Sequence, residues 1–275
     1  MKKRIVISGH CDSAYQWRHI YYGKKLPLMG ICMGGTIGGA IISVIIALIT
    51  IIANFVDMGA FGDFMLNYSY YFHIITGLFM ITLFLFVDFK TISPGANDNL
   101  TGTYAAVCAL RMLDMAGVEF ENTEVVAMIT DGEEAGLRGS MHFAQEHRFD
   151  DMTENAWNIN IDSVADKEYF EVVVKDDWQG VRFDTDMEKM FKDTFNEMGI
   201  ESKTNGCIHN PVGGCDSTPM TRAGIKSVTF AAQNPMLTWY YHTWRDMPQR
   251  FEEETVGLGF DVVLSLSLIH ISEPT

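Results

Sequence analysis

EVVAMITDGEEAGLRGS, from Glu124 to Ser140, decides how the chain is read. Glu124–Thr130 is short and rich in apolar and β-branched residues, which predicts a buried strand. The strand runs into Asp131-Gly132 and then two adjacent acids, Glu133 and Glu134, ahead of a helical stretch over Leu137–His147. The same arrangement recurs on both sides. Upstream, the apolar strand Arg4–Ser8 leads into GHCDS (Gly9–Ser13), and PGANDNLTG (Pro94–Gly102) opens a helix over Thr101–Ala116 that Gly117 stops. Downstream, the strand Trp157–Ile161 leads into Asp162-Ser163, and YYHT (Tyr240–Thr243) precedes a last helix over Glu252–Leu264. Strands at Tyr169–Lys175 and Lys226–Ala232, and an amphipathic helix over Asp184–Met198 ended by Gly199, fill the remainder. Strands alternating with helices predict an α/β sandwich around a mostly parallel sheet. In such a sheet chemistry gathers at the carboxyl ends of the strands, and here histidines and carboxylates recur at those ends.

Taken singly, each signal has an ordinary explanation. A His-x-Asp is commonly a hydrogen-bonded surface pair, two glutamates commonly start a solvated helix, and an aspartate before a helix is commonly a cap. Together they form a set of nitrogen and oxygen donors suited to two Zn²⁺ ions.

The 275 residues are 48% hydrophobic and 20% charged, which excludes a disordered chain or a disulfide-stapled miniature. A formal charge of −15 repels a phosphate backbone, so no nucleic-acid partner is expected. Five scattered cysteines, Cys11, Cys32, Cys108, Cys207 and Cys215, do not read as a disulfide framework. Mean hydropathy is +0.07, high for so acidic a chain, and the apolar residues are concentrated in one place. Leu26–Val56 holds 31 residues and Phe64–Val87 holds 24 with no Asp, Glu, Lys or Arg. A bilayer core needs about 20 apolar residues in a helix, so the two runs predict a transmembrane helical hairpin that contacts lipid through residues 26–87. Tyr68, Tyr70, Tyr71 and Phe72 suit an interfacial belt, and Gly30, Gly34 and Gly38 at four-residue spacing, with Gly35 and Gly39, suit close helix approach. Arg18, Lys24, Lys25 and Lys90 flank the hairpin while its loop carries only acids, Asp57 and Asp63. The positive-inside rule then puts both ends, and the rest of the chain, on the cytoplasmic side of the cell membrane.

The expected organisation is a discontinuous catalytic domain over 1–25 and 90–265, with the hairpin inserted at 26–89. The string LSLIHISEPT (266–275) reads as a translated sequencing adaptor and is left out of the fold, His270 with it. The abrupt start at Met1 suggests a piece lacking elements at both ends.

The ordered set GHCDS, PGANDNLTG, DGEEAGLRGS, NIDS, GGCDS and YHT resembles metallopeptidase family 28, the family of bacterial leucyl aminopeptidases, glutamate carboxypeptidases and glutaminyl cyclases. The resemblance covers about residues 4–16 and 93–265. It implies a three-layer, zinc-exopeptidase-like sandwich with a mixed central sheet, two zinc ions per chain and a peptide substrate. It further implies metal ligands His10, Asp98, Glu134, Asp162 and His242, with Asp98 bridging. His10 and Asp162 would serve one zinc, Glu134 and His242 the other. Glu133 would be the general base, and Asp12 would hold the ring of His10 in its ligating tautomer. Tyr241 is either an oxyanion donor or a core aromatic. Asp216 is read as structural, Asp246 as orienting the late histidine loop, and Cys11 as packing away from His10. A membrane-anchored aminopeptidase is the first reading. A single-zinc glutaminyl-cyclase-like acyltransferase and a non-catalytic receptor on the same fold are the alternatives.

Overall fold

The structure is a computed structural model that describes residues 3–22, 26–147, 155–211, 213–236 and 238–266, with the backbone alone for 26–33. Lys24, Lys25 and the string from 267 onward, including His270, lie outside the described residues. The chain divides into two compact units, Met1–Ala14 with Pro94–Thr238 and Arg245–Thr275, and Tyr15–Ser93 with Trp239–Trp244.

In the larger unit the predicted strands form within one to three residues of expectation. They are β1 (Lys3–His10), β4 (Thr123–Thr130), β5 (Ala156–Val164), β6 (Phe170–Asp176) and β9 (Lys226–Ala232), joined by the short β7 (Val181–Arg182) and β8 (Cys207–Asn210). The seven-stranded sheet runs β4-β1-β5-β9-β6-β7, with β8 also on β6. β4, β1, β5 and β9 are parallel, while β6 runs antiparallel to β9, so the sheet is mixed. Register sets His10 opposite Thr130, so the carboxyl ends of β1 and β4 finish level.

Helices α5 (Thr101–Met115), α7 (Thr185–Glu197) and α9 (Glu253–Ser265) share the main core. Ile5, Ile7, Ile159, Ile161 and Phe230 reach into it from alternate strand positions, and Phe191 and Phe170 stack on Phe230 at 5.5 and 5.8 Å. Each such side chain contributes about 1.5–3 kcal/mol on burial. Leu266 is also fully buried there. α7 starts as its sequence dictates, with the Asp184 carboxylate accepting from the Asp186 and Met187 amides. The second layer of helices, α6 (Arg138–Glu146) and α8 (Ser217–Arg222), packs Ala144 and Met220 with Ala156 and Ile225.

The smaller unit starts with an antiparallel ribbon that the sequence did not signal, β2 (Tyr15–Trp17) on β3 (Val87–Ile92), pairing Gln16 with Asp88 and Trp17 with Val87. Between the two strands lie α1 (Arg18–Tyr21), α2 (Leu26–Phe55), α3 (Gly59–Met80) and α4 (Leu83–Phe86). Gly34–Phe55 and Gly59–Phe86 are long and apolar enough to cross a membrane, and only 11% of each is buried. The contact between them uses two of the glycines the sequence singled out, Gly35 and Gly39. A Cβ on Gly35 would meet Thr82 Oγ1 at 2.7 Å and one on Gly39 would meet the Thr76 carbonyl at 2.9 Å, whereas Gly34 and Gly38 face open space. Ser43 Oγ and His73 Nδ1, 2.9 Å apart, form a polar tie between α2 and α3.

Candidate active site

At the carboxyl edge of the larger unit's sheet, His10 ends β1 and Asp162 sits near the end of β5. Asp98 lies in a kinked turn, Ala96–Leu100, just before α5. One ligand atom from each of His10, Asp98 and Asp162 falls within 4.8 Å of the others. An oxygen of Glu134 lies within the same distance of one on Asp98. His10 Nε2 is 3.2 Å from Asp98 Oδ1, is buried, and makes no hydrogen bond to any described residue.

Two close backbone approaches bring these groups together. A Cβ on Gly9 would meet the Gly102 carbonyl carbon at 2.7 Å, and one on Gly102 would meet the Ile161 carbonyl oxygen at 2.3 Å. Only glycine lets β1, the start of α5 and β5 pack this tightly. Asn99 reinforces the junction by donating to the Ile161 carbonyl at 2.8 Å and accepting from the Gly102 and Ser163 amides. The Asp98 turn is fixed by Asp246, whose carboxylate accepts from the Asn97 and Asp98 amides at 2.9 and 3.1 Å. Asp246, read in the sequence as orienting the late histidine loop, thus holds a turn 148 residues away in sequence.

Asp12 has a wider role than the sequence implied. Its carboxylate accepts from the amides of both Glu133 and Glu134 at 3.0 Å, fixing the backbone of the paired acids. His10 Nδ1 lies 3.2 Å from the Asp12 carbonyl and 3.4 Å from its carboxylate, so the carbonyl is the nearer acceptor. Burial alone would raise the Asp12 carboxyl, but the bonds from His10 and the two amides hold it below the usual range. Asp216 is structural, as read: it is buried and accepts from Ser140 Oγ at 2.5 Å and Thr130 Oγ1 at 2.6 Å. Cys11 is exposed, because β1 ends at His10 and no strand carries it into packing.

The electrostatics are those of crowded acids out of water. Burial, helped by Asp98, pushes the Asp162 carboxyl up to about 7. Burial also raises Glu133 well above the usual carboxylate range, with Asp162, Glu134 and Asp216 adding to it and His10 opposing. Burial opposes a charge on His10, but Asp12, Asp98 and Asp162 outweigh it and push the imidazole far above its ordinary range.

His242 and Tyr241 belong to the smaller unit. Tyr241 stacks on the His242 ring at 3.9 Å, and His242 takes a left-handed backbone, φ +48°.

A mixed α/β sheet with nitrogen and carboxylate donors at its carboxyl edge defines a zinc-exopeptidase-like class. The model of peptidase family M28 matches residues 84–267, and the chain belongs to that family. Solved structures with the same fold include a zinc aminopeptidase from Bacillus subtilis (24% identity, TM-score 0.52, 64% of this chain and 42% of that one). The LapA aminopeptidase of Legionella pneumophila is similar at 16% identity and TM-score 0.56, over 66% of this chain and 49% of its own. A Zn-dependent exopeptidase from Parabacteroides distasonis matches at 14% identity and TM-score 0.59, over 96% of this chain and 72% of its own. The chain thus spans less than half the length of the first two.

Proposed function

We propose that the chain is a membrane-anchored dizinc exopeptidase that removes residues from the amino end of peptides. The observation that carries this reading is the buried convergence of His10, Asp98 and Asp162, with Glu134 beside Asp98. The donors suit zinc: one imidazole nitrogen left without a hydrogen bond among the described residues, and carboxylates that burial disfavours as free anions. His10 and Asp162 would hold one ion, Glu134 and His242 the other, with an oxygen of Asp98 toward each. Zinc bound there supplies Lewis-acid polarisation of the scissile carbonyl and a more acidic water. Glu133 Oε takes the proton from the attacking water and passes it to the leaving amine, a transfer its raised proton affinity suits. Asp12 keeps Glu133 and Glu134 in register through their amides. Tyr241 is a second donor to the oxyanion in this reading.

The hairpin anchors this chemistry to lipid. Pairing of β2 with β3 returns both ends of the hairpin to one side, which supports a two-span insertion. At 1.5 Å per residue, about 20 residues counted back from Phe86 cross the hydrocarbon and reach Asn67, which leaves Tyr68, Tyr70, Tyr71 and Phe72 near an interface. The basic flanks Arg18, Lys24, Lys25 and Lys90 put the catalytic part in the cytoplasm. The full chain is expected to stay in membranes through a carbonate wash; release into the supernatant would remove the anchor.

The test of the chemistry is metal content together with hydrolysis of free and amino-blocked dipeptides. Two zinc per chain and cleavage of free dipeptides alone are expected. One metal with glutaminyl cyclisation, or no metal at all, overturns the reading. Acidity gives a further check. The carboxyl of Asp162 and the imidazole of His10 both bind protons more tightly in the folded, metal-free chain than unfolded, so that form loses stability as pH rises from about 4 toward and past 7. Zinc displaces those protons, so its affinity should rise at least about tenfold per pH unit between about 5.5 and 6.5. A pH-independent affinity, measured by competition with a chelator, would exclude these two groups as ligands.

A further inference from the structure

The late histidine loop, Trp239–Trp244, groups with the hairpin and not with the sheet that carries the other candidate ligands. Its contacts show why. The Trp17 amide donates to the His242 carbonyl at 2.7 Å. The Trp244 amide donates to Gln16 Oε1 at 3.3 Å, and Ser93 Oγ donates to the Thr243 carbonyl at 3.0 Å. Gln16, Trp17 and Ser93 are all on or next to the β2–β3 ribbon, from which the two apolar helices spring. The side chains repeat the pattern. The Trp17 ring meets the His242 ring edge to face, centroids 4.5 Å apart and planes at 80°. The Trp17 ring also lies 4.8 Å from that of Phe86, the last residue of α4. His242 needs such support, because a non-glycine residue with a positive φ is held there by its surroundings and not by its own preference.

We infer that the base of the apolar hairpin is the positioning element of the His242 site, with Trp17 the residue that fixes the histidine's backbone and ring. This rests on the dizinc reading above, and it adds that anchoring and metal retention are one mechanical unit. A displacement at Phe86 reaches His242 through the Trp17 indole, so the insert acts on the second metal without supplying a ligand. Trp17 is a positioning residue. Its loss should affect one metal and not the other, whereas general destabilisation would affect both.

The experiment is zinc binding by the full chain in detergent or lipid, resolved into two equivalents by competition with graded chelators. His242→Ala identifies the equivalent that depends on that residue. Trp17→Ala is expected to weaken that same equivalent at least tenfold and to leave the other within about twofold; Trp17→Phe, which keeps a ring and the backbone donor, should restore it to within about threefold. Ser43→Ala, at the far polar tie in the hairpin, should change neither. Wild-type chain holding fewer than two zinc ions would overturn the dizinc reading itself. Two ions with unchanged affinities in Trp17→Ala would leave that reading standing and overturn the inference. Should Trp17→Ala lose both ions, Phe86→Ala decides, since the indole remains: an undisturbed His242-dependent equivalent overturns the inference, and its selective weakening supports it.

Discussion

Glu133→Gln is expected to keep two zinc ions and lose about 10³-fold or more in kcat, with KM changed only a few-fold. The substitution is nearly isosteric. The bonds that fix this stretch run from the Glu133 and Glu134 amides to Asp12, and the side-chain change leaves them in place. What disappears is a carboxylate whose proton affinity is raised by burial and by Asp162, Glu134 and Asp216. A glutamine amide cannot take the proton of an attacking water, so the loss should fall on the chemical step. Steady-state hydrolysis of a dipeptide beside metal analysis of the same sample checks both halves. A variant within tenfold of wild-type kcat would remove Glu133 from its assigned role.

Asp98→Asn should have the larger effect on metal. Asp98 Oδ1 lies 3.2 Å from His10 Nε2, and its carboxylate is also within reach of Asp162 and Glu134. Among the described residues of the larger unit it is thus the group that both sets of donors share. An asparagine presents one neutral oxygen and an NH₂ that can only donate. Expected are loss of at least one equivalent, retention of the other weakened by about 10- to 100-fold or more, and no measurable hydrolysis. Zinc content and dipeptide hydrolysis, taken on one preparation, read both effects. Two tightly held ions in Asp98→Asn would exclude a bridging role.

Local sequence was enough for much of this molecule. Apolar runs of strand length before Asp131 and Asp162, Gly117 and Gly199 as helix stops, and 31 and 24 residues free of acids and strong bases carry their meaning in their nearest neighbours. Periodicity and length dictate those elements because backbone hydrogen bonding and burial of one face act over a few residues. The candidate donors His10, Asp98 and Asp162 were legible for the same reason, since each stands near the end of a strand or the start of a helix.

Other features exist only once distant segments meet. Asp246 holds the Asp98 turn, Asp12 holds the glutamate pair 121 residues away, and of the glycines the sequence offered Gly35 and Gly39 bear the helix contact while Gly34 and Gly38 face open space. The β2–β3 ribbon, three residues against six with a bulge, has too little pattern to show in sequence and forms because the hairpin brings its strands together. A carboxylate's partner is whichever amide the fold delivers within 3 Å, and no spacing along the chain encodes that. The sequence by itself determined which elements form and which side chains have metal-binding chemistry. Tertiary structure alone decided which backbone each acid clamps and which tryptophan holds His242, because those choices follow from distances between residues that share no local pattern.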